Sequence, residues 1–523
     1  MTALTLDLST PGHQGVRLPD LDVPETPLPD AALLRDGVRL PEMTQLEIVR
    51  YFTALSRLNY SIDTGFYPLG SCTMKYNPKI NEDVAALPGF ASLHPSQPPE
   101  TAQGALTVLW ELQQMLAAIT GMDAATLAPQ AGAQGEFAGM LMIKAFLADR
   151  DGGGTEGAAP DRRGLGKEHQ PSGRTHDGEG RGRPGSPIQN ERTRVLIPDS
   201  AHGTNPATAA MCGFEVVTIP TAADGNMDLD ALARELDQRT AALMLTLPTT
   251  LGLWERNILR IATMVHDAGA LLYGDGANLN AIAGQIKPGD LGFDAWHINT
   301  HKTFSTPHGG GGPGAGPVTV KEHLAPYLPD PQAVRGEDAL IRLLRPEQSV
   351  GRLGQFHGDF GVLLRAYTYL RTLGADGIRE MSEAAVVHAN YLEARLRDAY
   401  RLPYDRRVMH EAVFSASRQK AASGVRALDI AKRLIDYGFH PPTIYFPLIV
   451  EEALMIEPTE AESRASIDAF CEAMISIAHE AQEQPDLVKN APTTAPLTRL
   501  DEATAARKPV LRWRPSRLRV EKP

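Results

Sequence analysis

The chain has 523 residues, 42% of them hydrophobic and 22% charged. This is enough apolar material for two or three packed domains and excludes a disordered chain. A net charge of −12 disfavours nucleic acid or an anionic membrane as the main partner. No apolar run reaches the roughly 18 residues of a membrane span. The start, Met1 to Arg17, lacks the order of a signal or transit peptide. Cys72, Cys212 and Cys471 are too scattered for a disulfide framework or a metal site, so the expected setting is a reducing cytoplasm, with no metal.

Residues 1–45, rich in Pro and Leu, read as an extended arm that lies on something else. A helix is expected around Thr44 to Asn59, then an irregular loop from Asp63 to Ile80. Ala105, Val108, Leu109, Leu112, Met115, Leu116 and Ile119 recur at helical spacing, with Gly121 as the C-terminal cap.

Short apolar runs then alternate with helical segments. Strands are expected at 194–199, 215–220, 242–248, 270–276 and 295–300, with a short one in PVTV after the glycine-rich loop. Asn205 to Cys212 reads as a helix, Pro206 suiting its first turn and Gly213 its end. This alternation predicts parallel βαβ units in a doubly wound α/β sheet. Residues 151–194 interrupt it. They are glycine-rich, with Leu165 and Ile188 the only large apolar side chains, and read as a disordered insertion. Beyond about Arg345, long helices (Val362 to Leu373, Ile378 to Arg397) and a few strands predict a smaller α+β domain.

Four segments carry chemistry. In NTHKTFSTPHGGGGPGAGPV (299–318), Lys302 follows a strand end and precedes a glycine-rich loop. That setting suits an amine condensing with an aldehyde, because it fixes the lysine at a sheet edge and lets ligands approach the backbone. An exposed loop lysine is the plain alternative. Asp275, in YGDGAN, lies 302 − 275 = 27 residues earlier at another strand end. A buried carboxylate there would keep a pyridoxal ring nitrogen protonated, and small Ala277 would let the ring lie flat. In PQAGAQGEFAG (129–139) a small-residue turn enters a helix, and Ala133 and Gln134 are candidate phosphate donors, with Thr300 and His301 beside Lys302 as others. In PDSAHGTNPA (198–207), His202 reads equally as a residue stacking on a ring and shuttling protons or as a helix-capping histidine. All four fall on the edge of one sheet expected to bind ligands.

Together with PLGSCTMKYNP and IEPTE (456–460), the segments NTHKTFSTPHGGGGPG and DSAHGTNPATAAMCGF resemble glycine decarboxylase, the P-protein of the glycine cleavage system. The resemblance is closest to the second subunit of the two-subunit form, and it runs from about Pro11 to Trp513 outside 151–194. It implies the aminotransferase-like fold, fold type I, and pyridoxal 5'-phosphate on Lys302 as a Schiff base. Asp275 would hold the ring nitrogen and His202 the ring face, with Ala133, Gln134, Thr300 and His301 on the phosphate. Thr249 stands where Asn or Ser is usual for the ring hydroxyl, and Leu247 where a polar residue is common.

The implied activity is that of glycine dehydrogenase (aminomethyl-transferring, decarboxylating). Glycine loses carbon dioxide and its aminomethyl group passes to the lipoyl arm of the H-protein, Lys302 or His202 handling protons. The implied partner is subunit 1, with two copies of each subunit. Arg352 and Arg365 are candidates for the glycine carboxylate, His94 is a substrate contact or a turn residue, and Cys72 reads as a small packed thiol rather than a redox group. The expected division is 1–90 (arm and active-site loop), 91–345 (large cofactor domain), 346–485 (small domain) and 486–523 (tail).

Another fold-type-I enzyme, an aminotransferase or a cysteine desulfurase, would share Lys302 and Asp275. A desulfurase would also keep a cysteine in a mobile loop after the lysine domain, and none stands there. A nicotinamide dehydrogenase is excluded because its glycines should open a helix after the first strand. A non-catalytic sister subunit would lack the lysine and aspartate.

Overall fold

A computed structural model describes residues 4–34, 37, 40–151, 192–307 and 313–512. Nearly all of the expected insertion, and residues 308–312 of the glycine-rich loop, lie outside the described residues. The chain forms two units, residues 1–65 with 491–523, and residues 66–490.

In the first unit, helix Gln45–Ser56 opens with a reciprocal cap. Thr44 Oγ1 accepts the Glu47 N–H while Glu47 accepts the Thr44 N–H. This helix buries no side chain, and Leu46, Val49 and Phe52 along it are exposed.

The second unit is built on a seven-stranded sheet. Its strands are β1 (Ala124–Thr126), β2 (Arg194–Pro198), β3 (Glu215–Ile219), β4 (Thr240–Thr246), β5 (Leu271–Gly276), β6 (Ala295–Ile298) and β7 (Val318–Val320), in the order β1-β7-β6-β5-β4-β2-β3. Strands β3, β2, β4, β5 and β6 are parallel neighbours. Only β7 runs against its neighbours, β6 and β1. Strands β2 to β6 coincide with the five expected runs and β7 with PVTV; β1, three residues of Ala and Thr, gives no apolar signal of its own.

Both faces of this sheet are covered, which is why its strands read as continuous apolar runs rather than alternating ones. Leu196, Leu243, Leu245, Leu272 and Trp296 enter one core together with helix Gln103–Thr120. Their neighbours Val195, Ile197, Ala242, Met244 and Tyr273 enter the other with helix Gly132–Asp151. Helix Gln103–Thr120 ends where expected, at Gly121 with φ 67°.

A third core surrounds a small antiparallel sheet in which Ala453–Ile456 lies between Ala412–Ser415 and Thr443–Ile444. Helices Ala427–Asp436 and Arg464–Glu483 cover it. The long helix Phe360–Leu396 feeds side chains to two of the cores and is broken at Gly374 (φ 64°, ψ −172°), near the gap expected between its two halves. A hairpin, Gln332–Arg335 with Ile341–Leu344, was not among the expected strands.

Candidate active site

The carboxyl ends of β4, β5 and β6 place three polar residues side by side. Register pairs Thr246 with Asp275 and Asp275 with His297. Asp275 is buried and accepts from Thr246 Oγ1 (3.2 Å) and Asn205 Nδ2 (3.1 Å) on one oxygen and from the Ala277 N–H (3.0 Å) on the other. His297 Nε2 stands 3.4 Å from the second oxygen, and Tyr273 OH donates to His297 Nδ1 at 2.9 Å. Burial opposes the Asp275 charge, but His297, the Ala277 N–H, Asn205 and Lys302 outweigh it and hold the carboxyl below its usual value. His297 itself is pushed down by burial, so it faces Asp275 as a neutral donor.

Glu136, on helix Gly132–Asp151, is the counterpart. Burial and the Asp275 charge push it up to about 8, against bonds such as that from Thr204 Oγ1 (2.6 Å). Of two neighbouring carboxyls, Glu136 keeps the proton and Asp275 the charge.

These groups surround a cavity of about 180 Å³ that is also lined by Ala133, His202, Ala277, Asn299, His301 and Lys302. Lys302 lies in the turn of helix Thr300–Thr303 directly after β6. His202 accepts the Thr204 N–H (3.2 Å) and packs edge-on against Phe446. Desolvation and the Lys302 charge push its imidazole below the usual value.

Helix Gly132–Asp151 begins at the cavity and runs away from it for 20 residues. Its first turn sits against the extended segment at Gly316 that leads into β7. A Cβ at Gly316 would lie 2.0 Å from the Ala131 carbonyl, and one at Gly132 2.3 Å from Asn299 Oδ1, so only glycine permits this approach. Gln134 fixes the turn, accepting the Gln130 N–H (2.6 Å) and donating to the Leu353 carbonyl (2.5 Å).

The structure thus brings Lys302, Asp275, Ala277, His202, Ala133 and His301 to one cavity. The Gln134 side chain is turned to its own loop, and Thr300 is buried, donating to the Ala315 carbonyl at 3.3 Å. Thr249 lines a small adjoining cavity, while Thr246 and Thr250 reach both. Arg352 pairs with Asp330, and Arg365 holds Glu82 through two 2.8 Å bonds; neither lines the cavity. His94 accepts the Ser96 N–H within its turn and lines a separate apolar pocket. Burial pushes the Cys72 thiol up, with Lys302 opposing.

Glu136, Thr246 and His297 escaped the sequence reading. Aligning the ends of β5 and β6 would have set His297 beside Asp275, and a lone acid in the apolar face of GEFAG was the signal for Glu136.

The donor set fits pyridoxal phosphate: an amine, an ionised buried carboxylate, a small residue beside it, and a helix start cleared by Gly132.

Comparison with known proteins agrees. Residues 185–332 match the family model "Aminotransferase class-V" and residues 381–497 match "Glycine dehydrogenase, C-terminal domain". A probable glycine dehydrogenase (decarboxylating) subunit 2 of Desulforamulus reducens is 53% identical over 517 residues, covering 98% of this chain and 99% of that protein. Its namesake in Halalkalibacterium halodurans is 52% identical, covering 98% of each. Among solved structures, a glycine decarboxylase (P-protein) of the glycine cleavage system superposes with TM-score 0.64 at 19% identity, over 86% of this chain and 93% of that one. A cysteine desulfurase from Escherichia coli gives 0.53 at 16% identity, over 80% and 95%. The fold is that of the type-I pyridoxal-phosphate enzymes, and at this identity over nearly its whole length the chain belongs to the family of glycine dehydrogenase (decarboxylating) subunit 2.

Proposed function

We propose that this chain decarboxylates glycine with pyridoxal phosphate and passes the aminomethyl group to the lipoyl arm of an H-protein, working beside a subunit 1 with two copies of each. The observation that carries the chemistry is that Lys302 and a buried, ionised Asp275 line one cavity.

Pyridoxal phosphate, when bound, supplies an electron sink for the bond broken at the amino-acid carbon. Lys302 would hold it covalently and Asp275 would keep its ring nitrogen protonated. Neutral His297 and proton-bearing Glu136 serve that role by leaving the negative charge on Asp275 alone. Small Ala277 would leave room for the ring against the strand end, and His202, lining the same cavity, would lie on its other face. The N–H groups of Ala133 and Gln134 at the helix start, with His301, would take the phosphate, while Thr300, whose N–H and hydroxyl both go to the Ala315 carbonyl, would steady the turn beneath it. Thr249, with Thr250 on the cavity itself, would take the ring hydroxyl.

A partner chain fits the exposed Leu, Val and Phe side chains of the first 65 residues, including those of helix Gln45–Ser56. Among the described residues no helix is long and apolar enough to cross a membrane; a cytoplasmic setting is part of this proposal.

The test is exchange of labelled carbon dioxide into the glycine carboxyl, with this chain, pyridoxal phosphate, lipoylated carrier and subunit 1. Exchange that vanishes in Lys302→Ala supports the reading. No exchange from the complete mixture sinks the glycine assignment and leaves a fold-type-I enzyme of another substrate.

A further inference from the structure

Behind the cavity wall lies a cluster that the roles above do not use. His410, Glu411 and Glu457 are all fully buried, and one ligand-capable atom from each lies within 4.8 Å of the other two. Glu411 Oε2 accepts the N–H of Ser71, a cavity-lining residue held at φ 63°, at 2.9 Å. Glu457 Oε1 accepts from Thr73 Oγ1 (2.6 Å) and Asn280 Nδ2 (3.1 Å). Glu411 Oε1, Glu457 Oε2 and both His410 nitrogens have no hydrogen-bond partner among the described residues. His410 Nε2 is 3.7 Å from Glu411 Oε1.

Two buried carboxylates this close cannot both ionise without a compensating charge. His410 supplies none, since burial and the Lys302 charge push it down to about 3. Lys75 is nearby but is bound to Glu460 at 2.7 Å. Cys72 adds no positive charge, and burial keeps its thiol protonated. Lys302 is the remaining cation acting on both carboxylates. Burial and mutual repulsion push Glu411 up to about 8, and burial foremost pushes Glu457 up to about 7.

We propose that Glu411 and Glu457 share one proton while Lys302 is an ammonium, and take up the proton Lys302 loses when its amine becomes neutral. The transfer balances: the ammonium N–H bond breaks, a carboxyl O–H bond forms, and the cluster passes from one negative charge to none. When the amine is set free again, the proton returns. The two glutamates are positioning residues that act through Lys302, so the inference rests on the role of Lys302 given above.

Infrared difference spectroscopy of the full chain tests it without any turnover. In a Glu136→Gln background, which takes away the other buried protonated carboxyl, the chain should show a buried protonated-carboxyl band at neutral pH, which Glu411→Gln and Glu457→Gln each remove. Lys302→Met, which leaves the cluster intact, should enlarge the band, because the cation that kept one carboxylate ionised is gone. In the carbon dioxide exchange assay both glutamine variants should lose activity about 10²-fold or more, with a displaced pH profile and little change in KM for glycine. An absent band, a band indifferent to Lys302→Met, or a stoichiometric metal in the purified chain would overturn the proposal. If the wild type fails to exchange carbon dioxide, the glycine assignment falls, while the infrared result still decides the shared proton.

Discussion

Lys75 offers the sharpest energetic test of how the lysine turn is held. Its side chain is 1% exposed and its ammonium donates to Glu460 (2.7 Å) and to the Thr303 carbonyl (2.7 Å), one residue from Lys302. Burial opposes the Lys75 charge, but Glu460 outweighs it and holds the lysine above its usual value. In Lys75→Met the Glu460 carboxylate, only 10% exposed, is left without its cation. Breaking a buried pair from one side destabilises by about 3–5 kcal/mol. In Lys75→Met with Glu460→Gln the stranded charge is gone. What remains is the Thr303 carbonyl without its donor, a loss of about 1–2 kcal/mol. The double variant should therefore recover roughly half or more of the loss. Urea unfolding of the full chain, followed by tryptophan fluorescence, measures both. A single variant within about 1 kcal/mol of the wild type, or a double variant as unstable as the single, would refute the reasoning.

Glu136→Gln should change how stability varies with pH. In the native chain this carboxyl keeps its proton up to about 8 rather than 4.5, so native binding of the proton favours the fold at low pH. That advantage is lost as pH rises from 4.5 through 8, and at about 1.4 kcal/mol per pH unit the loss approaches about 5 kcal/mol. The variant should gain on the wild type by that order between pH 5 and pH 8 in urea midpoints; a constant difference would argue against a protonated Glu136. Asp275→Ala should still accept the cofactor on Lys302, seen by absorbance, yet lose carbon dioxide exchange; near-normal exchange would remove Asp275 from the chemistry. Gly139→Ala would place a Cβ 2.2 Å from the Tyr273 ring, and overpacking of this kind costs about 1–3 kcal/mol. A thermal melt unchanged from the wild type would show that the ring yields freely. Cys72→Ala should leave exchange within about twofold, whereas a large loss would give the thiol a chemical role.

The sheet was legible because its strands are buried on both faces, which writes them as apolar runs bounded by turn residues. Lys302, Asp275 and His202 were legible because each follows such a run. Glu136 and His297 were not, since their meaning depends on register and on a helix crossing the sheet, neither of which local pattern encodes. The Glu411–Glu457 cluster joins side chains 46 positions apart (457 − 411) through a third segment at Ser71–Thr73. No spacing rule connects these. Strand β1 and the hairpin at 332–344 were missed because short or weakly apolar strands draw their stability from neighbours rather than from their own residues.

Helix Gly132–Asp151 spans about 30 Å at the usual rise, with its first turn at the cavity and its last far from it. Asp151 at its end pairs with Arg192 (3.1 Å), which stands ahead of β2 at the end of the parallel strands opposite the cavity. This place therefore suits a fluorophore or an affinity tag, fitted without touching a residue that lines the cavity. A label there would report on the far end of the sheet while leaving the cavity side open.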